Sequence, residues 1–210
     1  MHRMIQISAI LLVSLGLLVS VLFAMSAGPF SREDDQFADC RTSAVAGGGA
    51  AIGGPFELVD HKGRAVTEKD VIVEPSLIYF GYTFCPDVCP FDTIRNAEAI
   101  DLLAEQGISA TPVFISIDPE RDTLEALEAY VENIHPKMVG LTGTEEQVKA
   151  ASKAYRTYYK RHNDDPEYYI VDHSTQTYLM LPEHGFVEFF NRNVSAEQIA
   201  ETAACFIKNS

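Results

Sequence analysis

Apolar segments of two different periods alternate along most of the chain. Short runs of strand length at 76–80 and 111–117 are each followed by a segment with helical spacing, at 91–103 and 123–134. The same reading predicts further strands at 56–59, 65–67, 139–141, 178–181 and 186–190, and further helices at 144–160 and 196–207. Strands that alternate with helices and end in a hairpin plus a helix predict an α/β sandwich, in which helices flank a central mixed sheet.

Two cysteines lie where the strand at 76–80 turns into the helix that follows it. Pro86 is predicted in the first turn of that helix, because the N–H group that proline lacks would have no partner there. This places Cys85 at the positive end of the helix dipole, which favours the thiolate, with Cys89 one turn further along the same side. Two sulfurs held in this way can form a disulfide or chelate a soft metal ion. Buried structural cysteines or a permanent disulfide are the alternative interpretation.

The first 28 residues differ from the rest of the chain. Residues 5–27 carry no charge and are long enough to cross a bilayer, so residues 1–28 are predicted to be a membrane anchor. Basic residues precede this run and acidic residues follow it, which predicts a cytoplasmic N-terminus and an external globular domain. A cleaved signal peptide is the alternative. Because no Arg- and Ser-rich transit segment is present, we expect a bacterial inner membrane and a periplasmic domain.

Residues 29–53 are polar and then glycine-rich, which predicts a flexible tether, and residues 54–210 are expected to form one domain. The chain has 16 basic and 30 acidic side chains and a formal net charge of −14. A surface this acidic argues against binding to nucleic acid. The charge does not otherwise indicate a function.

Three ordered motifs carry a resemblance to a known family. They are Phe-Cys-Pro-Asp-Val-Cys-Pro at 84–90, Ile-Ser-Ile-Asp-Pro-Glu-Arg-Asp-Thr at 115–123, and Val-Asp-His-Ser-Thr at 171–175. With these motifs the chain resembles the Sco/SenC family of membrane-anchored copper-binding proteins from about residue 54 to about residue 207. The resemblance implies a thioredoxin-like fold and a role in assembling the copper centre of cytochrome c oxidase subunit II. Where the family often has proline after Asp-Thr, this chain has Leu124, a change that leaves the three motifs intact.

The resemblance also implies the third ligand of a copper site, His173, in addition to Cys85 and Cys89. Sequence pattern alone does not distinguish His173 from His135 or His184. Two thiolates and one imidazole form a soft set that suits Cu(I). Structural zinc normally requires four ligands, and no fourth is obvious.

Cu(II) would need a weaker fourth donor, for which Asp87 and Asp172 are candidates. Asp118 and Arg121 follow the strand next to the one that precedes the cysteines, and ligands gather at such carboxyl ends. We expect these two residues to support the site from outside the ligand set.

These features predict a copper metallochaperone that binds one copper ion and passes it to an oxidase subunit by ligand exchange. The alternative function is a thiol–disulfide reductase, in which Cys85 attacks a partner's disulfide and Cys89 resolves the mixed disulfide. A bare redox enzyme does not need a third ligand at His173, and this feature separates the two hypotheses. In the metal-free protein Cys85 and Cys89 are expected to form a redox-active disulfide that excludes copper.

Two further cysteines, Cys40 and Cys205, belong to none of these motifs. Leftover cysteines in an oxidising compartment are more often paired than free. Cys205 lies in an apolar stretch and could be a buried free thiol, whereas the neighbours of Cys40 are polar. The sequence therefore predicts a Cys40–Cys205 disulfide that attaches the tether to the last helix.

Overall fold

The structure, a computed structural model, describes residues 35–43, 52–162 and 168–210. The predicted anchor at 1–28 lies outside these residues, as do positions 29–34 and 44–51 of the predicted tether. Within the described ranges, no helix is long and apolar enough to cross a membrane. A compact unit extends from Gln36 to Ser210.

The described segments contain a 3₁₀ turn, nine strands and five helices, numbered here in chain order. The turn is Ala38–Cys40, and the strands are β1 Glu57–Asp60, β2 Ala65–Thr67, β3 Ser76–Gly81, β4 Thr111–Ser116, β5 Val139–Thr142, β6 Tyr159–Arg161, β7 Val171–His173, β8 Thr177–Leu181 and β9 Gly185–Phe190. The helices are α1 Glu68–Val71, α2 Val88–Glu105, α3 Leu124–Ile134, α4 Glu145–Ala154 and α5 Ala196–Lys208.

Seven strands form one mixed sheet in the order β2-β1-β5-β4-β3-β8-β9. Strands β3, β4 and β5 are parallel to one another, and the remaining pairs are antiparallel. Strands β6 and β7 form a separate antiparallel ribbon, in which Tyr159 lies opposite His173. The chain leaves β3 toward the two cysteines and leaves β4 toward Asp118, so both segments meet at the carboxyl ends of parallel strands.

Alternate residues of β8 enter two different hydrophobic clusters. Tyr178 and Met180 belong to the cluster that contains the buried residues of α3 and α4. Leu179 and Leu181 belong to a second cluster with buried residues of α2 and α5. Because successive side chains of a strand point to opposite faces, helices cover both faces of the sheet. This confirms the predicted α/β sandwich with a central mixed sheet.

The helix predicted at 144–160 is wrong over its last six residues, 155–160. Helix α4 ends at Ala154, and Arg156 has a left-handed φ of 52°, which a helix cannot contain. The chain then enters β6, whose partner β7 comes later in the sequence. Aromatic residues at 155, 158 and 159 continue the helical spacing, so the local pattern did not reveal a strand that depends on a distant partner.

The domain starts earlier than the boundary predicted at residue 54, and the segment 36–43 is packed instead of free. Phe37 is 5% exposed and joins the second cluster, where its ring packs against Phe206. The buried carboxylate of Glu188 accepts hydrogen bonds from the backbone N–H groups of Thr42 and Ser43. An aromatic side chain and two satisfied amides hold this segment, although its polar composition predicted a tether.

Candidate metal centre

The segment that carries the cysteines begins as a turn and becomes a helix two residues later than predicted. Asp87 precedes the first helical residue and has non-helical torsion angles, so Pro86 lies outside helix α2. Pro90 occupies the first helical turn instead, where a missing N–H group is tolerated. The backbone N–H of Cys85 donates to the carbonyl oxygen of Tyr82 at 3.2 Å, so Cys85 ends the turn before α2, whereas Cys89 lies in the first turn of α2.

Cys85, Cys89 and His173 come together at one point. One ligand atom from each, the two sulfurs and a ring nitrogen, lie within 4.8 Å of one another. The Nε2 of His173 is 3.3 Å from the Sγ of Cys89. Cys89 is fully buried, Cys85 is 7% exposed, and His173 is half-buried, so Cys89 is the most enclosed of the three. Two sulfurs and one imidazole nitrogen at this spacing can hold one soft metal ion.

The orientation of the His173 ring is fixed from several sides. Its Nδ1 lies 2.8 Å from the carbonyl oxygen of Ser174, and because a carbonyl only accepts, Nδ1 carries the ring proton. The edges of the Tyr79 and Tyr82 rings pack against the imidazole, at centroid distances of 6.1 and 5.9 Å. Nε2 is therefore the nitrogen with a free lone pair, and it faces the sulfurs.

The two thiols have opposite electrostatic environments. A hydrogen bond with the Cys89 thiol is the main cause that lowers the pKa of Cys85; burial opposes it, but hydrogen bonds from the backbone N–H groups of Asp87 and Cys89 lower that pKa further. The same thiol–thiolate hydrogen bond, followed by burial, raises the pKa of Cys89. The metal-free reduced pair thus holds a Cys85 thiolate and a Cys89 thiol, as expected for a sulfur near a helix N-terminus.

Gly81, at the end of β3, leaves room for the buried sulfur. A Cβ atom at this position would lie 2.9 Å from the Sγ of Cys89 and equally close to side-chain atoms of Tyr79 and Phe114. Contacts this short do not occur for real Cβ atoms, so only glycine allows Cys89 to sit against the strand. The sequence gives no local signal for this role.

The other candidate residues lie elsewhere. His135 is 3.2 Å from Asp101, and the ring of His184 packs against Phe37 near the last hairpin. Asp172 precedes His173 on β7, and its Oδ2 is 2.6 Å from the Nε2 of His162. Asp87 is exposed. Among the described residues, the metal-ligating group contains two cysteines and one histidine and no carboxylate.

The segment that follows β4 supports the cysteine loop through hydrogen bonds. The Asp122 carboxylate is buried and accepts from the backbone N–H and the hydroxyl of Thr83, two residues before Cys85, and from the hydroxyl of Ser116. Asp118 and Arg121 form an ion pair of 2.6 Å beside it. The expectation that 118–122 supports the site from outside agrees with these contacts. The tyrosines at 79, 82 and 169 were not singled out, because buried aromatic residues are common in any core.

The chain is similar to several known proteins. A family model described as SCO1/SenC matches residues 44–208. Protein SenC of Rhodobacter capsulatus is 52% identical over 176 residues, which cover 84% of this chain and 79% of that protein. The mitochondrial SCO1 homolog of Homo sapiens is 44% identical over 160 residues, 75% of this chain and 53% of that protein, so the chain spans about half of that relative's length.

The similar solved structures include some that have copper bound. The crystal structure of Arabidopsis thaliana ScoI with copper bound has a TM-score of 0.72 and 42% identity, and the match covers 75% of this chain and 99% of that one. The structure of Bradyrhizobium japonicum ScoI with copper bound has a TM-score of 0.67 and 37% identity, and the match covers 73% of this chain and 98% of that one. This likeness confirms the thioredoxin-like α/β fold.

Proposed function

The chain belongs to the SCO1/SenC family, and on that premise we propose that it binds one copper ion through Cys85, Cys89 and His173. One observation carries this proposal: two sulfurs and an imidazole nitrogen, from segments 84 residues apart, lie within 4.8 Å of one another. Soft donors of this kind suit Cu(I). The copper bound in the Arabidopsis and Bradyrhizobium ScoI structures supports the same choice of metal.

We further propose that the bound copper is cargo, which the protein delivers to the copper centre of cytochrome c oxidase subunit II. The family resemblance supports this recipient. Transfer by ligand exchange needs one ligand that an incoming thiolate can reach. Cys89 is fully buried, whereas Cys85 is 7% exposed and His173 is half-buried, which supports exchange that begins at His173 or Cys85 and not at Cys89.

The proposed location is the inner membrane of a bacterium, with the N-terminus in the cytoplasm and the copper domain in the periplasm. The uncharged run at 5–27 and the basic residues before it support an anchor in this orientation. A Cys40–Cys205 disulfide is compatible with an oxidising compartment.

A thiol–disulfide reductase is the second candidate function, and the electrostatics of the pair favour it as a companion activity. The lowered pKa of Cys85 provides a thiolate that can attack a disulfide, and the raised pKa of Cys89 keeps the resolving thiol protonated until then. A recipient site made of cysteines must be reduced before it can accept copper. Reducing the recipient converts the Cys85 and Cys89 thiols into a disulfide, so the same two sulfurs can bind copper and load the recipient only after an external thiol reductant has reduced that disulfide again.

Metal analysis and a Cu(I) titration of the reduced full chain test the proposal. We expect uptake to end at one copper per chain and to be lost when Cys85 or Cys89 is replaced by serine. Uptake that the cysteine substitutions leave unchanged would refute the copper site. Disulfide reduction by the copper-free protein, assayed in parallel, decides whether the reductase activity accompanies it.

A further inference from the structure

His173 is carried by a ribbon that shares no strand pairing with the main sheet. Strands β6 and β7 pair with each other alone among the described strands. The backbone N–H of Val171, on β7, donates a hydrogen bond of 3.4 Å to the hydroxyl of Tyr82, which lies three residues before Cys85. A ligand on such a ribbon keeps its distance from the two sulfurs only if side chains hold the ribbon in place.

A buried carboxylate provides the main attachment. Asp118 has no exposed surface, and its Oδ1 accepts a hydrogen bond of 2.6 Å from the hydroxyl of Tyr169, two residues before β7. The guanidinium of Arg161, on β6, lies 3.4 Å from the same oxygen and also pairs with Glu120 at 2.7 Å. The Oδ2 of Asp118 is 2.6 Å from the Nε of Arg121. One carboxylate thus joins both strands of the ribbon to the loop after β4.

Two arginine guanidinium groups also pack against the Tyr169 ring. The Cζ of Arg121 lies 3.5 Å from its centroid, and the Cζ of Arg161 lies 4.5 Å from it. Arg121 donates a further hydrogen bond of 3.0 Å to the carbonyl oxygen of Tyr169. Both the ring and the backbone of Tyr169 are therefore held by the same guanidinium.

Arg121 contacts the cysteine segment as well. Its Cζ is 5.1 Å from the ring of Phe84, the residue before Cys85, and 5.6 Å from the ring of Tyr82. One nearly buried guanidinium therefore touches the segment that carries Cys85 and the segment that leads to His173.

We propose that Asp118 and Arg121 are positioning residues that set the distance between His173 and the cysteine pair, and that Tyr169 transmits this effect to the ribbon. This role rests on the proposed copper site and assigns no ligand beyond it. Neither Asp118 nor Arg121 belongs to the metal-ligating group, so they act on copper affinity through His173. Substitution of a residue that orients a metal ligand from outside the ligand set typically lowers metal affinity by about 10–100-fold.

A double-mutant cycle on the full chain tests the role. Cu(I) affinity is measured by competition with bicinchoninate, a colorimetric copper chelator, for the wild type, Arg121→Met, His173→Ala and the combined variant. We expect Arg121→Met to weaken binding by about 10–100-fold when His173 is present and by much less when His173 is already alanine. Arg64→Met is the matched control, because it breaks the Arg64–Asp60 ion pair in the turn between β1 and β2 and should leave copper affinity unchanged.

Each result of the cycle is decisive. Unchanged affinity in Arg121→Met, or equal losses with and without His173, would overturn the positioning role. If His173→Ala alone leaves affinity unchanged, the three-ligand copper site itself fails, which is a different outcome. Should Arg121→Met not fold, Tyr169→Phe removes only the hydroxyl that Asp118 accepts from. A fall in affinity in Tyr169→Phe that disappears in the His173→Ala background would support the role, and no fall would refute it.

Discussion

The Nε2 of His173 lies 3.3 Å from the Sγ of Cys89, although 84 positions separate the two residues in the chain. The Ser174 carbonyl holds the ring proton on Nδ1, and the edges of two tyrosine rings pack against the imidazole. The free nitrogen therefore faces the sulfur pair before any metal binds. This arrangement distinguishes the site from a simple pair of redox cysteines.

The first prediction concerns the third ligand. His173→Ala should weaken Cu(I) binding by at least about 100-fold, because loss of an outer partner alone costs about 10–100-fold. The Cys85–Cys89 disulfide should still form in this variant. Chelator competition and thiol counting measure the two properties, and His184→Ala, at the far hairpin, is the control that should change neither. Unchanged copper affinity in His173→Ala would exclude the histidine as a ligand.

A second prediction is that copper and the Cys85–Cys89 disulfide exclude each other, since the metal requires thiolates. Protein that has been oxidised at this pair should take up almost no copper until reductant is added. Uptake is measured by metal analysis after desalting. Stoichiometric uptake by the fully oxidised protein would contradict the assignment of both sulfurs as ligands.

The third prediction follows from the opposite pKa shifts of the two thiols. A thiol of ordinary pKa, about 8.5, is only about 0.1% thiolate at pH 5.5. The pKa of Cys85 is lowered by its hydrogen bonds, so its thiolate persists as the pH falls, whereas the raised pKa of Cys89 keeps that thiol protonated. At pH 5.5 iodoacetamide should modify Cys85 much faster than Cys89 in the folded, reduced protein, because only Cys85 is a thiolate there. Peptide mapping should find Cys89 unmodified. Equal modification of both cysteines in the folded protein would be inconsistent with the shifts.

The Cys40–Cys205 disulfide gives the fourth prediction. The two Cα atoms are 5.6 Å apart, within the range that a disulfide requires, and the bond closes a loop over 165 positions. Replacing both cysteines with serine should reduce the free energy of unfolding by about 2–5 kcal/mol, measured by denaturant titration. Peptide mapping of unreduced protein should recover the two residues in one linked peptide. If both thiols are alkylated without prior reduction, the bond does not exist in solution.

Much of the fold could be predicted from the sequence because most elements have a local signal. The apolar runs around β3 and β4 and the amphipathic spacing of α3 and α5 each lie within one segment. Strands β6 and β7 were missed, and residues 155–160 were wrongly predicted as helix, because β6 and β7 exist only through pairing with each other. Segment 36–43 was misjudged for a similar reason, since Glu188 and Phe206 hold it from far along the chain.

The candidate site, like the fold, could be predicted from the sequence only in part. Cys85 and Cys89 follow from the strand-to-helix junction, and His173 required the family motif. The space beside Gly81 and the contacts of Tyr169 with Asp118 depend on side chains that meet only in three dimensions. The sequence shows which residue types are present, but it does not show which of them come into contact.

X-ray absorption at the copper edge of the reduced, Cu(I)-loaded full chain identifies the atoms bound to the metal and so tests whether Cys85, Cys89 and His173 are the ligands. We expect two sulfur neighbours and one nitrogen neighbour, and loss of the nitrogen in His173→Ala. A first shell that contains only sulfur, or a nitrogen that persists in His173→Ala, would contradict copper binding by Cys85, Cys89 and His173.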